Sequence, residues 1–179
     1  VVDYNRQSLD STTADRMFRR FDDIFETCGW RVVTLKNGKL QRAAFSRPGG
    51  KSLEDWIENC PNADFAVLTY KGGAAWRERL IADIGGKPHV AKLLDSFDDD
   101  GLAALMTNLG GHCIESLMDA FDSADDERPT LFIAYTVKGY GLPLAGHKDN
   151  HSGMMNPAQI EQLRASMGVD VGQEWEPFA

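Results

Sequence analysis

The sequence predicts an α/β fold, a partial doubly wound parallel sheet with flanking helices. Three observations lead there. The clearest short apolar, β-branched stretches fall at the two ends of the chain, at Val1–Asn5, Arg31–Lys36 and Leu131–Val137. The first two enclose a stretch with helical spacing, a strand–helix–strand unit and the seed of a parallel sheet. The long middle is filled with helical patterns. So few strands suit part of a doubly wound domain better than a complete one.

Val1–Asn5 reads as a strand that starts abruptly, without a methionine, and so predicts a piece of a longer protein. Arg6–Thr13 is polar and turn-like, with Ser11, Thr12 and Thr13 offering N-cap oxygens. The next helix, Ala14–Cys28, carries Met17, Phe18, Phe21, Ile24 and Phe25 on one stripe and ends at Gly29. Arg31–Lys36 is the second strand. Leu40, Ala43, Ala44 and Phe45 mark one helical piece, Pro48-Gly49-Gly50 breaks it, and Leu53–Asn59 follows as another with Trp56 and Ile57 inward. The apolar run Phe65–Tyr70 reads as a strand. Gly72-Gly73 precede a helix over Ala74–Ile84, with Trp76, Leu80 and Ile84 at helical spacing.

Val90–Phe97 and Gly101–Asn108 are further short helices, and Gly110-Gly111-His112 is a turn. Ile114–Ser123 is amphipathic, with Ile114, Leu117, Met118 and Phe121 on one face. Pro129 leads into the strand Leu131–Val137. Lys138-Gly139-Tyr140-Gly141 then breaks the chain into a loop bearing His147, Lys148, Asp149, Asn150 and His151. Asn156 caps a last helix with Pro157 at its first position, and the tail after Gly168 reads as an extended link. No internal repeat or low-complexity segment is present.

Composition excludes several classes. The chain is 42% hydrophobic and 26% charged, ordinary for a globular protein. A net charge of -8 argues against a nucleic-acid surface. Carboxylates concentrated at Asp98–Asp100 and Asp122–Glu127 read as solvated helix ends and turns. Cys28, Cys60 and Cys113 form no CxxC pair, so no zinc or redox signature is present, and they read as reduced thiols of a cytoplasmic protein. No apolar run is long enough to span a bilayer.

Ligands of open α/β sheets bind outside the carboxyl ends of the strands, so candidate residues are sought there. Asp3, Asn5 and Gln7 alternate along an extended chain and place oxygens on one side, as a hard cation such as Mg2+ requires. Polar residues also end most strands, which is the plain alternative. The glycines of Lys138–Gly141 let backbone approach a ligand, but match neither the P-loop nor the Rossmann pattern. His147, Asp149 and His151 could clamp a transition metal; a histidine acting as proton donor or anion partner fits that loop better. His112, after two glycines, reads as a turn histidine that orders backbone, and His89 has no supporting context.

Taken together, VVDYNRQSLD, LGGHCIESLMDAF, YTVKGYGLPLAGHKDNH and Tyr70–Trp76 (YKGGAAW) resemble the transketolase group of thiamine-diphosphate enzymes. Within it they are most similar to the homodimeric type of pyruvate dehydrogenase decarboxylating component. The resemblance runs nearly the whole chain and implies a thiamine-diphosphate-binding fold. Residues 1–168 would be the C-terminal part of the diphosphate and Mg2+ domain, and residues 169–179 a linker. It implies that Asn5, by its side chain, and Gln7, by its backbone carbonyl, are metal ligands. The family's Gly-Asp-Gly element, whose Asp supplies the remaining ligand, would lie before Val1. Lys138 and Gly139 match the strand-end turn beside the cofactor. His151 matches a catalytic histidine on a mobile loop near the diphosphate or substrate. Gly111-His112 match a Gly-His-Asp element in which Cys113 replaces the Asp, so that site is taken as structural.

The implied activity is that of a 2-keto acid dehydrogenase component, decarboxylating its substrate and transferring a two-carbon acyl unit. Transketolase chemistry on a keto sugar, or a non-catalytic α/β interaction module, are the alternatives. Implied partners are a second copy in a homodimer and an acyltransferase component. Sites in this group form between subunits, so this chain alone is expected to be inactive.

Overall fold

The computed structural model describes residues 1–8, 11–12, 18–125 and 127–176. Its centre is a three-stranded parallel sheet: β1 (Val2–Tyr4), β4 (Arg31–Leu35) and β5 (Thr130–Tyr135), in the order β1-β5-β4. The last strand in sequence therefore lies between the first two. Val2 pairs with Ile133 and Tyr4 with Tyr135, while Arg31 pairs with Thr130 and Leu35 with Ala134. β5 is buried from Leu131 to Tyr135. That explains its unbroken apolar reading, because a central parallel strand has no solvent face to mark with polar residues.

The segment after β1 is not a plain turn. β2 (Gln7–Ser8) pairs antiparallel with β3 (Ser11–Thr12). Ser11 and Thr12 thus belong to a strand pair, while Thr13 and the expected helical residues Ala14–Met17 lie outside the described residues. Helix α1 (Phe18–Thr27) ends in a Schellman motif. Gly29, at φ 83°, donates to Glu26 O at 2.9 Å, and Trp30 donates to Phe25 O at 2.9 Å. The Trp30 ring meets Phe25 edge-on at 5.1 Å, the apolar contact that accompanies this cap.

Helices α2 (Lys39–Phe45), α3 (Gly50–Asn59), α4 (Asn62–Lys71), α5 (Gly73–Ile84), α6 (Pro88–Asp95) and α7 (Asp99–Thr107) form the middle. Here the sequence reading of Phe65–Tyr70 as a strand is corrected: it lies inside α4. Phe65 and Leu68, three apart, are buried, whereas Val67 and Tyr70 are exposed. A six-residue apolar run cannot by itself separate the two periods. Pro61, whose carbonyl accepts from Phe65 N at 2.9 Å, marks the helix start.

The core gathers on Trp76 of α5, fully buried, with Phe65 edge-on at 5.1 Å and Trp56 at 6.0 Å. Leu53, Leu80, Leu94, Leu102, Leu105 and Ile133 fill the space between helices and sheet. Asp98 caps α7 by accepting from Gly101 N at 2.7 Å, and Asp99 and Asp100 sit in its first turn, so this acidic run is a helix start.

A short 3-10 turn, Gly110–His112, leads into α8 (Ile114–Asp122). The face of α8 is rotated from that expected: Ser116 and Ala120 are buried, and Ile114 and Met118 are 71% and 55% exposed. Small residues let α8 lie close on the sheet, while Phe121 meets Phe132 edge-on at 4.9 Å. Helix α9 (Pro157–Ser166) starts at a capping box formed by Asn156 and Gln159 and buries none of its residues. Beyond Gly168 the described chain is not extended. It makes successive turns, tied to α9 by the Arg164 guanidinium donating to Val169 O.

Trp76→Ala should destabilise the fold by about 3–5 kcal/mol. Among the described residues Trp76 Nε1 has no hydrogen-bond partner, so Trp76→Phe removes an unpaired donor and should cost far less. Urea midpoints of the two variants measure this; equal losses would show that the indole N–H is bonded.

Candidate functional site

The carboxyl ends of the parallel strands point the same way and bring Asn5, Thr136 and Lys36 to one edge. At β1 the polar residues are held from several sides. The Thr136 hydroxyl donates to Asp3 Oδ1, and Asn5 Nδ2 donates to Asp3 Oδ2 at 3.3 Å. Asn5 Oδ1 accepts from Gln7 N at 3.0 Å, an Asx turn. The Asn5 amide is thus fixed at both ends, nitrogen toward Asp3 and oxygen toward Gln7. In an extended residue N–H and C=O share a side, so the Gln7 carbonyl lies on the side where its N–H meets Asn5.

The alternation expected of Asp3, Asn5 and Gln7 holds only for the first pair. Arg6 sits between Asn5 and Gln7 at φ 64°, in the left-handed region. A non-glycine residue there costs about 1–2 kcal/mol. The Asx turn offsets this, as does the Arg6 guanidinium stacked 4.0 Å over the Phe65 ring and 5.8 Å from that of Tyr135. Burial lowers the guanidinium pKa from its ordinary value, against the opposing effect of Tyr135. The group stays a cation.

Asn5, Arg6 and Gln7 form one wall of a cleft, Phe65 and Thr69 of α4 a second, and Thr136–Lys138 the third. Its volume of about 20 Å3 admits one water or ion. Gln7 Oε1, beside it, is buried without a hydrogen-bond partner among the described residues. An orphaned acceptor next to an oriented amide oxygen is a donor set suited to a hard cation. Among the described residues no three His, Cys, Asp or Glu side chains gather to hold a metal.

Beyond β5 the chain makes consecutive turns: Tyr140 N donates to Val137 O at 3.1 Å and Leu142 N to Gly139 O at 2.9 Å. Gly139 and Gly141 take φ of 73° and 81°, which these turns require. Asn150 Nδ2 closes the loop onto Lys138 O at 2.8 Å. Gly146 lies so close to α4 that a Cβ there would stand 2.6 Å from Ala66 O. The His147 ring lies 4.7 Å from that of Tyr70.

The structure thus brings Asn5, Gln7 and Lys138 together around one cleft and puts Gly139 at the turn beside it. His151 is exposed and does not line that cleft. The His147–Asp149–His151 metal clamp is not formed. His147 Nδ1 accepts from Asp149 N at 3.1 Å and serves the local turn, with the Asp149 carboxylate 3.9 Å away. His112 orders backbone, its Nε2 accepting from Val137 N at 2.7 Å. Cys113 Sγ accepts from Lys39 N at 3.4 Å. Burial raises that thiol's pKa, but bonds from Lys39 and Ser116 outweigh it and leave it lowered. Cys60 is pushed up to about 11, chiefly by burial. All three cysteines are free thiols.

Sequence reasoning missed Arg6 and Thr136. A charged residue just past a strand carries no sign that it will turn inward onto an aromatic ring, and Thr136 looks like ordinary strand. The turn-forming Asn150 was in view, but its partner was not.

This arrangement is that of an α/β protein, a three-stranded parallel sheet flanked by helices with oxygen donors and a glycine-bearing turn at its carboxyl edge, consistent with part of a thiamine-diphosphate-binding fold. No family model matches the chain. Among curated proteins it is similar to the pyruvate dehydrogenase E1 component of Corynebacterium glutamicum, 28% identical over 97% of the chain. The pyruvate dehydrogenase E1 components of Escherichia coli strain K12 and Mycobacterium tuberculosis are 26% and 23% identical, each over 92% of it. The chain spans 19%, 18% and 18% of the lengths of these three relatives. It is thus homologous, over nearly all of its residues, to one segment of the pyruvate dehydrogenase E1 component. Among the described residues no helix is long and apolar enough to cross a membrane.

Asp3→Ala should free the Asn5 amide and the Thr136 hydroxyl at a cost of about 1 kcal/mol. In nitrogen-edited NMR spectra the Asn5 side-chain NH2 signals should then broaden or double. Unchanged signals would show that Asp3 does not hold this amide.

Proposed function

We propose that this chain is the C-terminal part of the diphosphate- and Mg2+-binding domain of a thiamine-diphosphate-dependent 2-keto acid enzyme, of the pyruvate dehydrogenase E1 kind. Residues 1–168 make up that part, and residues 169–179 lead on from it. The observation that carries this reading is the β1 end. There an amide oxygen, Asn5 Oδ1, is fixed beside Gln7, and a buried acceptor, Gln7 Oε1, without a partner among the described residues stands at the same cleft. Homology to the pyruvate dehydrogenase E1 component over 92–97% of the chain supports it.

In this reading the Asn5 side-chain oxygen and the Gln7 backbone carbonyl would hold Mg2+, both neutral, and the remaining charged ligand would come from an upstream Gly-Asp-Gly element. Lys138 and Gly139 would border the diphosphate. Thiamine diphosphate, when bound, supplies carbanion stabilisation at the keto carbon. This chain's residues orient it and set the charge around it. Arg6 and Lys138 put two cations at one edge of a chain whose net charge is -8, where an anionic cofactor needs them. Asn150 ties the loop to Lys138, so the exposed His151, one residue on, is carried with that turn. His151 is the residue assigned to proton handling at the substrate. The intact protein works as a homodimer on a 2-keto acid and passes its two-carbon unit to an acyltransferase component.

Two substitutions in a full-length protein carrying this segment test the reading. His151→Ala should lower kcat about 100-fold or more while leaving thiamine diphosphate affinity nearly unchanged. Asn5→Ala should do the reverse, raising the Mg2+ concentration needed to retain the cofactor. Unchanged kcat in His151→Ala would remove His151 from the active site.

A further inference from the structure

His112 is tied to the candidate site through backbone, and the sheet explains why. Successive N–H groups along a strand point to opposite neighbours. Thr136 N donates toward β1, to Tyr4 O at 3.1 Å. Val137 N therefore points to the opposite side, toward β4. No strand continues there: β4 ends at Leu35, opposite Ala134, and Lys36 O accepts instead from Gly110 N at 3.0 Å. Val137 is buried, so its N–H needs a partner inside the protein. His112 Nε2 is that partner, at 2.7 Å.

Two glycines allow it. A Cβ on Gly110 would collide with the Leu35 carbonyl, and one on Gly111 would stand 2.7 Å from Tyr135 O. The turn can therefore press against the ends of both strands. The imidazole then stacks on Tyr140, with centroids 3.8 Å apart and planes at 14°. One side chain thus grips both the first buried amide after β5 and the ring at the tip of the Lys138–Gly141 turn.

We infer that His112 is a positioning residue that latches the Lys138–Gly141 turn to the sheet, and that the latch is closed only while the imidazole is neutral with its proton on Nδ1. An acceptor at Nε2 cannot carry a hydrogen, so the bond to Val137 fixes the tautomer. Protonation turns Nε2 into a donor facing another donor, and the turn loses its anchor. The charged group facing the ring from β1 is Asp3, which favours the imidazolium. Tyr140 faces it from the turn and Val137 from the segment just past β5. Burial outweighs Asp3 and holds His112 below the ordinary histidine value. The folded state thus binds fewer protons than the unfolded chain. The latch is fully present above about pH 6.5 and opens as pH falls through the lowered value. This property does not depend on what the turn binds.

The test is NMR of the chain without cofactor. At pH 7.5 long-range nitrogen–proton spectra should show His112 protonated at Nδ1 and bare at Nε2. The protection factor of the Val137 amide, corrected for intrinsic exchange, should fall about tenfold or more at pH 5. His112→Gln, whose Oε1 can accept in place of Nε2, should keep that protection at both pH values, and His112→Leu should lack it at both. Equal protection of the unmodified chain at the two pH values, an Nε2-protonated ring at pH 7.5, or a pH-dependent loss that persists in His112→Gln would each overturn the inference. If His112→Leu does not fold, the unmodified chain and His112→Gln still decide.

Discussion

The parallel pairing of β5 on both of its sides is the constraint on which the rest depends. A strand paired on two edges must spend every N–H and C=O, and it must be apolar on both faces. β5 meets both conditions from Leu131 to Tyr135. Its neighbours stop at or before that point. Past Tyr135 the chain is half-buried at Thr136 and buried again at Val137, and it still carries donors that need acceptors. Tyr4 O takes one and His112 the next. The site is therefore where the sheet runs out of partners, and the residues that complete its hydrogen bonding are those that shape the cleft.

The same edge explains the mixture of chemistries. Asp3 is exposed, yet both of its oxygens are engaged, by Thr136 and by Asn5. Its charge serves to align an amide. Arg6 accepts a left-handed backbone because its guanidinium gains the Phe65 face and because Asn5 closes the turn around it. The wall that α4 contributes depends on Phe65 pointing inward, which in turn depends on its place against Trp76. The core thus reaches the site through one aromatic pair.

Much of this was legible in the sequence, and the parts that were not have specific causes. β1, β4 and β5 could be placed because their apolar stretches are bounded by polar residues or glycine. Gly29 and the Asn156-Pro157 pair marked a helix end and a helix start because their backbone roles are local. The order β1-β5-β4 was not legible, since pairing between residues as far apart in sequence as Val2 and Ile133 leaves no local trace. α4 was misread because a short apolar run looks the same in either period. The face of α8 was misjudged because the sequence shows which residues are apolar but not that small ones let a helix sit close. At the site, Asn5, Gln7 and Lys138 were singled out through a family resemblance as metal and cofactor residues, and the structure brings the three to one cleft. Arg6 was invisible because its role is tertiary. His151 was assigned by resemblance alone, and its exposed position leaves that assignment resting there.

Asn5 and Gln7 are proposed to be one half of a Mg2+–diphosphate site whose charged ligand comes from an upstream element. Calorimetric titration of this folded chain with thiamine diphosphate in the presence of Mg2+ tests that claim most directly. Oriented but neutral oxygens should be insufficient by themselves. The predicted result is no saturable heat from this chain, and Mg2+-dependent binding once the Gly-Asp-Gly segment is joined to it. Saturable, Mg2+-dependent binding by this chain alone would contradict the account and show that Asn5, Gln7 and the turn at Lys138 form a complete site.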